Sequence, residues 1–253
     1  MIETTSDHVI RVSGLTKTYP GSSRPAVDHL NLEVIRGRIF GLLGPNGAGK
    51  TTTISILCTL LRPDSGRVEV LGQAVLEKAR EIRRSIGLVP QEIALYPTLT
   101  IRENLSYFAR VLGVEKKRIT ERIGACLDLV GLAEVAGRRI DRCSGGMKRR
   151  ANLAVGILHE PQILLLDEPT VGIDAQSRNL ILEQLRELNR QGMTLLYTTH
   201  YMREAEDICD EIAIIDVGKV VALGTPGQLI ESNETCENLE DLFLALTGKA
   251  LRE

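Results

Sequence analysis

Gly44-Pro45-Asn46-Gly47-Ala48-Gly49-Lys50-Thr51 fits the pattern G-x-x-x-x-G-K-[ST], and its flanks decide the fold. The run before it, Arg38 to Leu43, is short and mostly apolar, as a buried parallel strand requires. The run after it, Thr52 to Leu61, lacks Gly and Pro and predicts a helix. A bare glycine-rich turn would not need this strand–loop–helix setting; a phosphate-cradling loop does. Its three glycines let successive N–H groups point inward at an anion, and the helix start adds its positive dipole end. Lys50 is expected at the β- and γ-phosphates of a nucleotide, with the Thr51 hydroxyl on Mg²⁺ and Thr52 beside it.

The rest of the chain is consistent with an α/β protein built outward from this loop. Val9–Val12 and Leu30–Val34 alternate as strands, and Tyr19 precedes the turn-rich Pro20-Gly21-Ser22-Ser23. Two readings stay open for Tyr19: a platform for a nucleotide base, or an edge-strand tyrosine packed on the core. Val68–Gly72 and Ile86–Gln91 read as short strands, with a charged helix over Glu77–Arg84 between them. Gln91 stands just past a strand end, where ligand groups of open α/β sheets collect, although a plain polar loop residue would look the same.

From Leu99 the texture turns helical. Thr100 and Glu103 form a capping box for a helix reaching about Leu112, and Glu115–Val130 carries apolar residues at helical spacing. No strand pattern appears before Ile163, so the middle third reads as a helical lobe inserted into the α/β core. Ser144-Gly145-Gly146 then opens an apolar helix; it is either an ordinary N-cap or a second anion-binding helix start. Ile163-Leu164-Leu165-Leu166-Asp167-Glu168 is a central strand ending in two carboxylates, the first suited to Mg²⁺ and the second to orienting a water. Ser177–Arg190 reads as a helix with Leu180, Leu182, Leu185 and Leu188 inward. Thr194–Thr199 is a further core strand with His200 at its end, and 212–215 pairs with 220–223 as a hairpin. Thr225-Pro226 starts a helix. A polar break over Asn233–Glu237 precedes a final helix, Asn238–Thr247, with Leu239, Leu242, Phe243 and Leu246 on one face.

Composition narrows the function classes. With 31 basic and 33 acidic residues the net charge is −2, which offers no electrostatic footprint for nucleic acid. The absence of tryptophan argues against a base-stacking surface for single strands. No apolar run approaches a membrane span, and the polar start, Met1 to His8, does not read as a secretory signal. Five scattered cysteines without a C-x-x-C suggest reduced thiols in a cytoplasm.

Together these residues resemble the ATP-binding-cassette ATPases over nearly the whole chain. Gly44–Thr51 matches the Walker A loop, Ile163–Asp167 Walker B, and Glu168 the catalytic carboxylate; Cys143-Ser144-Gly145-Gly146-Met147 is similar to the signature motif. Tyr19, Gln91, Asp174 and His200 fall where the family has its base-stacking aromatic, Q-loop glutamine, D-loop aspartate and switch histidine. Cys143 and Met147 depart from the family's usual Leu-Ser-Gly-Gly-Gln.

The resemblance implies a P-loop NTPase core of RecA-like type, mostly parallel in its sheet, with an N-terminal antiparallel β subdomain and an inserted α-helical subdomain. It implies an ATPase domain over residues 1–230, with its α/β core at 1–92 and 155–230 and the helical subdomain at about 93–154, then a helical tail at 231–253. It further implies ATP and Mg²⁺ as cofactors, with Thr51, Gln91 and Asp167 on the metal, Ser144, Gly145 and Gly146 on a partner's nucleotide, and Lys50, Glu168 and His200 in catalysis. A head-to-tail dimer, in all expectation of two copies of this chain, would drive a separate membrane permease from the cytoplasmic face. The segment from Lys50 to Ser144 holds no coiled coil, and one cassette is present, unlike chromosome-maintenance and translation-factor relatives. The alternative, an ATP-gated clamp on nucleic acid or ribosome, is therefore disfavoured. The tail from Leu239 to Gly248 is similar to that of drug-resistance and nodulation-type exporters, and an importer's longer regulatory extension is not expected. Export of a drug, lipid or polysaccharide is the expectation.

Overall fold

Alternating and continuous apolar runs resolve into two kinds of strand in the computed structural model, which describes residues 7–233 and 235–248. Parts of the polar start, of the break at Asn233–Glu237 and of the tail at 231–253 lie outside the described residues. In chain order the elements begin with β1 (His8–Lys17), β2 (Val27–Ile35), β3 (Ile39–Leu43), α1 (Lys50–Leu57), β4 (Ser65–Val70), β5 (Gln73–Ala74), α2 (Ala79–Ser85) and β6 (Ile86–Val89). The helical stretch holds α3 (Ile101–Val111), α4 (Ile119–Leu129), two short 3₁₀ turns at Ala133–Val135 and Ile140–Arg142, and α5 (Gly145–Gly156). Then follow β7 (Ile163–Asp167), α6 (Ala175–Arg190), β8 (Thr194–Thr199), α7 (Met202–Ile208), β9 (Glu211–Asp216), β10 (Lys219–Gly224), α8 (Pro226–Glu231) and α9 (Leu239–Thr247).

The chain divides into two compact units, one of residues 1–83 and 194–253, the other of residues 84–193. In the first unit, β2-β1-β4-β5 form an antiparallel sheet. β2 alternates strictly enough that Leu30, Leu32 and Val34 are buried while Asn31 and Glu33 face water, the mark of a sheet covered on one side. The same unit holds the order β10-β9-β3-β8. Here β3 runs parallel to β8 and to β9, pairing Leu43 with Thr199 and with Ile214. β3 and β8 are buried along their whole length, so neither shows the in–out alternation of β2; in β8, Thr194, Thr198 and Thr199 are buried with the apolar residues.

In the second unit β6 and β7 pair in parallel, Val89 opposite Leu166. Helices α3, α4 and α5 pack on one another, and α5 also lies on β6 and α6. The Thr100 box is present: Glu103 N–H donates to Thr100 Oγ1 at 3.1 Å, and Thr100 N–H to Glu103 Oε2 at 2.8 Å. Asn104 is fully buried yet satisfied, with its amide bonded to Tyr96 and Thr100 carbonyls at 3.1 and 2.9 Å.

Several sequence expectations shift. The helix after the glycine loop begins at Lys50 and ends at Leu57 rather than Leu61, because Thr59 adopts a left-handed backbone (φ +60°) that a helix cannot continue through. The helix expected from Glu115 starts at Ile119. In α6 the apolar face is rotated: Ile181 is buried and Leu180 exposed, and in α9 Leu246 is exposed. Helix α7 and the short strand β5 carry no sequence signal, since both are too short to show a period.

Candidate functional site

The glycine loop leaves β3 and closes on itself. Gly49 caps α1 with φ +108°, and a Cβ there would lie 2.4 Å from the Ala26 carbonyl oxygen, so only glycine fits. Lys50 is 5% exposed, and its ammonium donates to the Gly44 and Pro45 carbonyls at 2.6 and 3.2 Å. Thr53 Oγ1 donates to Gly49 O at 2.9 Å and holds the first turn. Outside the loop, Gly218 N–H donates to Ala48 O at 3.1 Å. Tyr19 is exposed, and its hydroxyl lies 3.2 Å from Thr52 Oγ1, over the helix start. The loop before it is held by Asp64, which accepts from Lys17 at 2.7 Å and from Thr18 N–H at 2.7 Å; these bonds keep its carboxyl below the usual range.

His200 follows β8 directly. Since Leu43 pairs with Thr199, Gly44 and His200 leave adjacent strands at one level. Beneath His200, Tyr197 Oη and Thr199 Oγ1 both donate to Glu204 Oε2, at 2.5 and 3.2 Å. That carboxylate, 4% exposed on α7, ties the strand end to the helix that follows it. The His200 and Tyr201 rings lie 4.2 Å apart, centre to centre.

In the second unit Asp167 ends β7 and Glu168 follows it directly, each 4% exposed. Glu168 takes a left-handed backbone (φ +47°), uncommon for a side-chain-bearing residue and a conformation that neighbouring contacts must hold. Gln91 leaves the adjacent strand, and its Nε2 lies 3.4 Å from Glu168 Oε2. Ser144 caps α5, its Oγ accepting from Met147 N–H at 3.2 Å. Gly146, the second residue of α5, faces Ser177 at the start of α6, where a Cβ would fall 2.0 Å from Ser177 Oγ. Asp174 caps α6, accepting from Ser177 N–H at 2.9 Å and from its hydroxyl at 2.8 Å, which lowers its pKa. Gly145 lies by the same loop, with its Cβ position 3.8 Å from Gly172 O.

The arrangement is one of hard oxygen donors and backbone N–H groups. Among the described residues no three His, Cys, Asp or Glu side chains gather to hold a metal alone. Thr51 in the first unit offers a hydroxyl, and Gln91 and Asp167 in the second an amide and a carboxylate; each is a hard donor of the kind Mg²⁺ takes when it keeps waters and binds phosphates. In chemical terms the chain carries a glycine-lined cradle with a buried ammonium, and separately a buried carboxylate pair beside an amide.

Residues 27–171 match the family model described as "ABC transporter". The chain belongs to the ABC transporter family. It is 43% identical over 246 residues to the linearmycin resistance ATP-binding protein LnrL of Bacillus subtilis, covering 97% of this chain and 76% of that one. It is 41% identical to Nod factor export ATP-binding protein I of Ralstonia nicotianae, over 93% of this chain and 73% of the relative. A solved ATP-binding cassette, a dimer in a post-hydrolysis state bound to ADP and Pi, superposes with a TM-score of 0.78 at 27% identity, over 85% of this chain and 98% of its own. This ABC protein is thus an ATP-binding subunit and an ATPase, and its fold is the cassette's α/β fold with an antiparallel β portion and inserted helices. No helix among its described residues is long and apolar enough to cross a membrane.

Two groups of this ABC protein escaped sequence reading. Arg149 sits in the basic run Lys148-Arg149-Arg150, yet its guanidinium is half-buried and donates to the carbonyls of Gln91 and, at 3.1 Å, Val171. Burial pulls its pKa down, and the Glu168 charge pulls it back up. No local signal separates it from Lys148 and Arg150 in the same run. Glu204 left none, since a buried acid in Met-Arg-Glu-Ala-Glu-Asp-Ile looks like any surface helix.

Proposed function

We propose that this chain is the ATP-hydrolysing subunit of an exporter, working as a head-to-tail pair of identical copies on a separate membrane permease at the cytoplasmic face. The observation that carries the hydrolytic reading is the buried pair Asp167 and Glu168 at the exit of β7, with the Gln91 amide 3.4 Å from Glu168. Hydrolysis needs phosphates held, charge neutralised and a water oriented. The N–H groups of Gly44–Thr52 and the Lys50 ammonium bind the phosphates, and Tyr19 stacks on the base. A bound Mg²⁺ would supply positive charge against the charge that develops on the phosphates. Thr51, Asp167 and Gln91 would hold it. Glu168 orients the attacking water and accepts its proton; His200 donates a hydrogen bond to the γ-phosphate. Ser144, Gly145 and Gly146 present the start of α5 to the nucleotide of the partner copy. The helical lobe at about 93–154 is the permease-docking part, and export is supported by relatives named for linearmycin resistance and Nod factor export.

The test uses the chain with its permease in vesicles. Glu168→Gln is expected to lower ATP turnover by about 10²–10³-fold while ATP binding persists and an ATP-dependent dimer accumulates. Turnover unchanged in Glu168→Gln overturns the catalytic assignment. A strain lacking the chain should lose efflux; a loss of uptake instead overturns export.

A further inference from the structure

Helix α5 does more than present Ser144. Its second and third turns hold the loops on either side of Glu168. Arg149 donates one Nη to Gln91 O and the other, at 3.1 Å, to Val171 O. One turn on, Asn152 is 2% exposed; its Nδ2 donates to Pro90 O at 3.3 Å and its Oδ1 accepts from Ala94 N–H at 3.3 Å. The segment from Pro90 to Ala94 is therefore fastened at three points, all on α5.

The second loop is fastened at its first turn. Val171 N–H donates to Glu168 O at 3.3 Å, so the Val171 carbonyl belongs to the turn that begins at Glu168. One planar guanidinium thereby fixes both the residue whose amide meets the Glu168 carboxylate and the turn that sets the Glu168 backbone. Glu168 needs such support, because its left-handed backbone is not self-sustaining.

We propose that Arg149, assisted by Asn152, is a positioning residue for ATP hydrolysis: it sets the geometry of Gln91 and Glu168 from the helix that bears Ser144. This rests on the catalytic role given to Glu168 above. A lysine keeps the charge but, as a compact point donor, cannot reproduce the two-pronged bond to diverging carbonyls. A displacement of about 1 Å in a reacting group can cost about 10²-fold, so a partial loss is expected to read as a fall in kcat alone. ATP affinity is left in place, because the Gly44–Thr51 loop is held by bonds of its own.

The experiment is steady-state ATP hydrolysis by the chain in complex with its permease, for wild type, Arg149→Lys, Gln91→Ala and the double variant. Arg149→Lys is expected to lower kcat about 10-fold or more with KM for ATP within about twofold. In the Gln91→Ala background the same change should cost at most about threefold, because Arg149 acts in part through Gln91. An unchanged kcat in Arg149→Lys, or an equal loss in both backgrounds, overturns the proposal. Should Arg149→Lys fail to fold, Asn152→Ser loosens the same loop from the next turn and should give the same kcat-only loss; normal kcat there overturns it too. Failure of the underlying reading would show instead in Glu168→Gln, as retained turnover.

Discussion

Replacing Gly146 by alanine tests the tight seat of α5 against α6. In an exposed helix the change would stabilise by about 1 kcal/mol, since glycine is the poorer helix former. Here the new Cβ would stand 2.0 Å from Ser177 Oγ and 2.6 Å from Ser177 Cβ. A rotamer change moves the hydroxyl away but not the Cβ, so the helices must separate. Turning the hydroxyl also gives up its 2.8 Å bond to Asp174, the cap of α6. Overpacking of this kind costs about 1–3 kcal/mol, and the lost bond about 1 kcal/mol more. After the propensity gain, a net loss of about 1–3 kcal/mol remains, or roughly 2–10 °C in Tm. Ser177→Gly removes both clashing atoms, and the next neighbour, Asp174 Oδ2, is 3.9 Å away, an ordinary contact. In that background Gly146→Ala should raise stability by about 0.5–1 kcal/mol. Thermal melts of the four proteins of this cycle give the sign directly. Wild-type stability in the single variant, or the same sign in both backgrounds, would refute the packing argument.

Two further expectations concern titratable groups. His159 Nε2 is 2.9 Å from Ile86 O, its Nδ1 has no partner, and burial first, then the Arg122 charge, lowers its pKa below the usual value. The unfolded chain then binds the proton more readily, so stability is whole above about pH 6.5 and falls as the pH drops from there toward the folded value. His159→Gln, which keeps a donor for Ile86 O, should show a smaller fall in Tm between pH 7.5 and 5.5; an equal fall refutes the assignment. Burial pushes the Cys126 thiol up to about 11 and raises those of Cys143 and Cys209, so an alkylating reagent at pH 8 should label the less buried Cys236 first. Mass spectrometry showing Cys126 modified first would contradict this.

What could be read from the sequence follows from the range of the forces involved. The glycine loop, the Thr100 box and the runs at 163–167 and 194–199 are local patterns, and each forms where its residues predict. Phase is harder. Leu180 and Ile181 are neighbours of equal hydrophobicity, and only the packing of α6 decides which turns inward. Helix α7 spans seven residues, less than two full turns in all, so its buried Met202, Ala205 and Ile208 make no visible stripe. The bonds of Arg149 to Gln91 and of Tyr197 to Glu204 are tertiary, and no spacing rule contains them. Composition pointed away from nucleic acid because net charge is a property of the whole chain and needs no structure.

The turn between β9 and β10 looks like a convenient place to attach a label or a tag. Val217 is half exposed there, and the loop is short, flanked by Asp216 and Lys219. Yet Gly218 reaches inward with both backbone groups, donating to Ala48 O and accepting from Asp28 N–H at 2.9 Å. An insertion at that hairpin would be felt by the phosphate loop through its buttress. Reporters meant to leave nucleotide handling undisturbed belong elsewhere, for instance at the exposed Leu76 after β5.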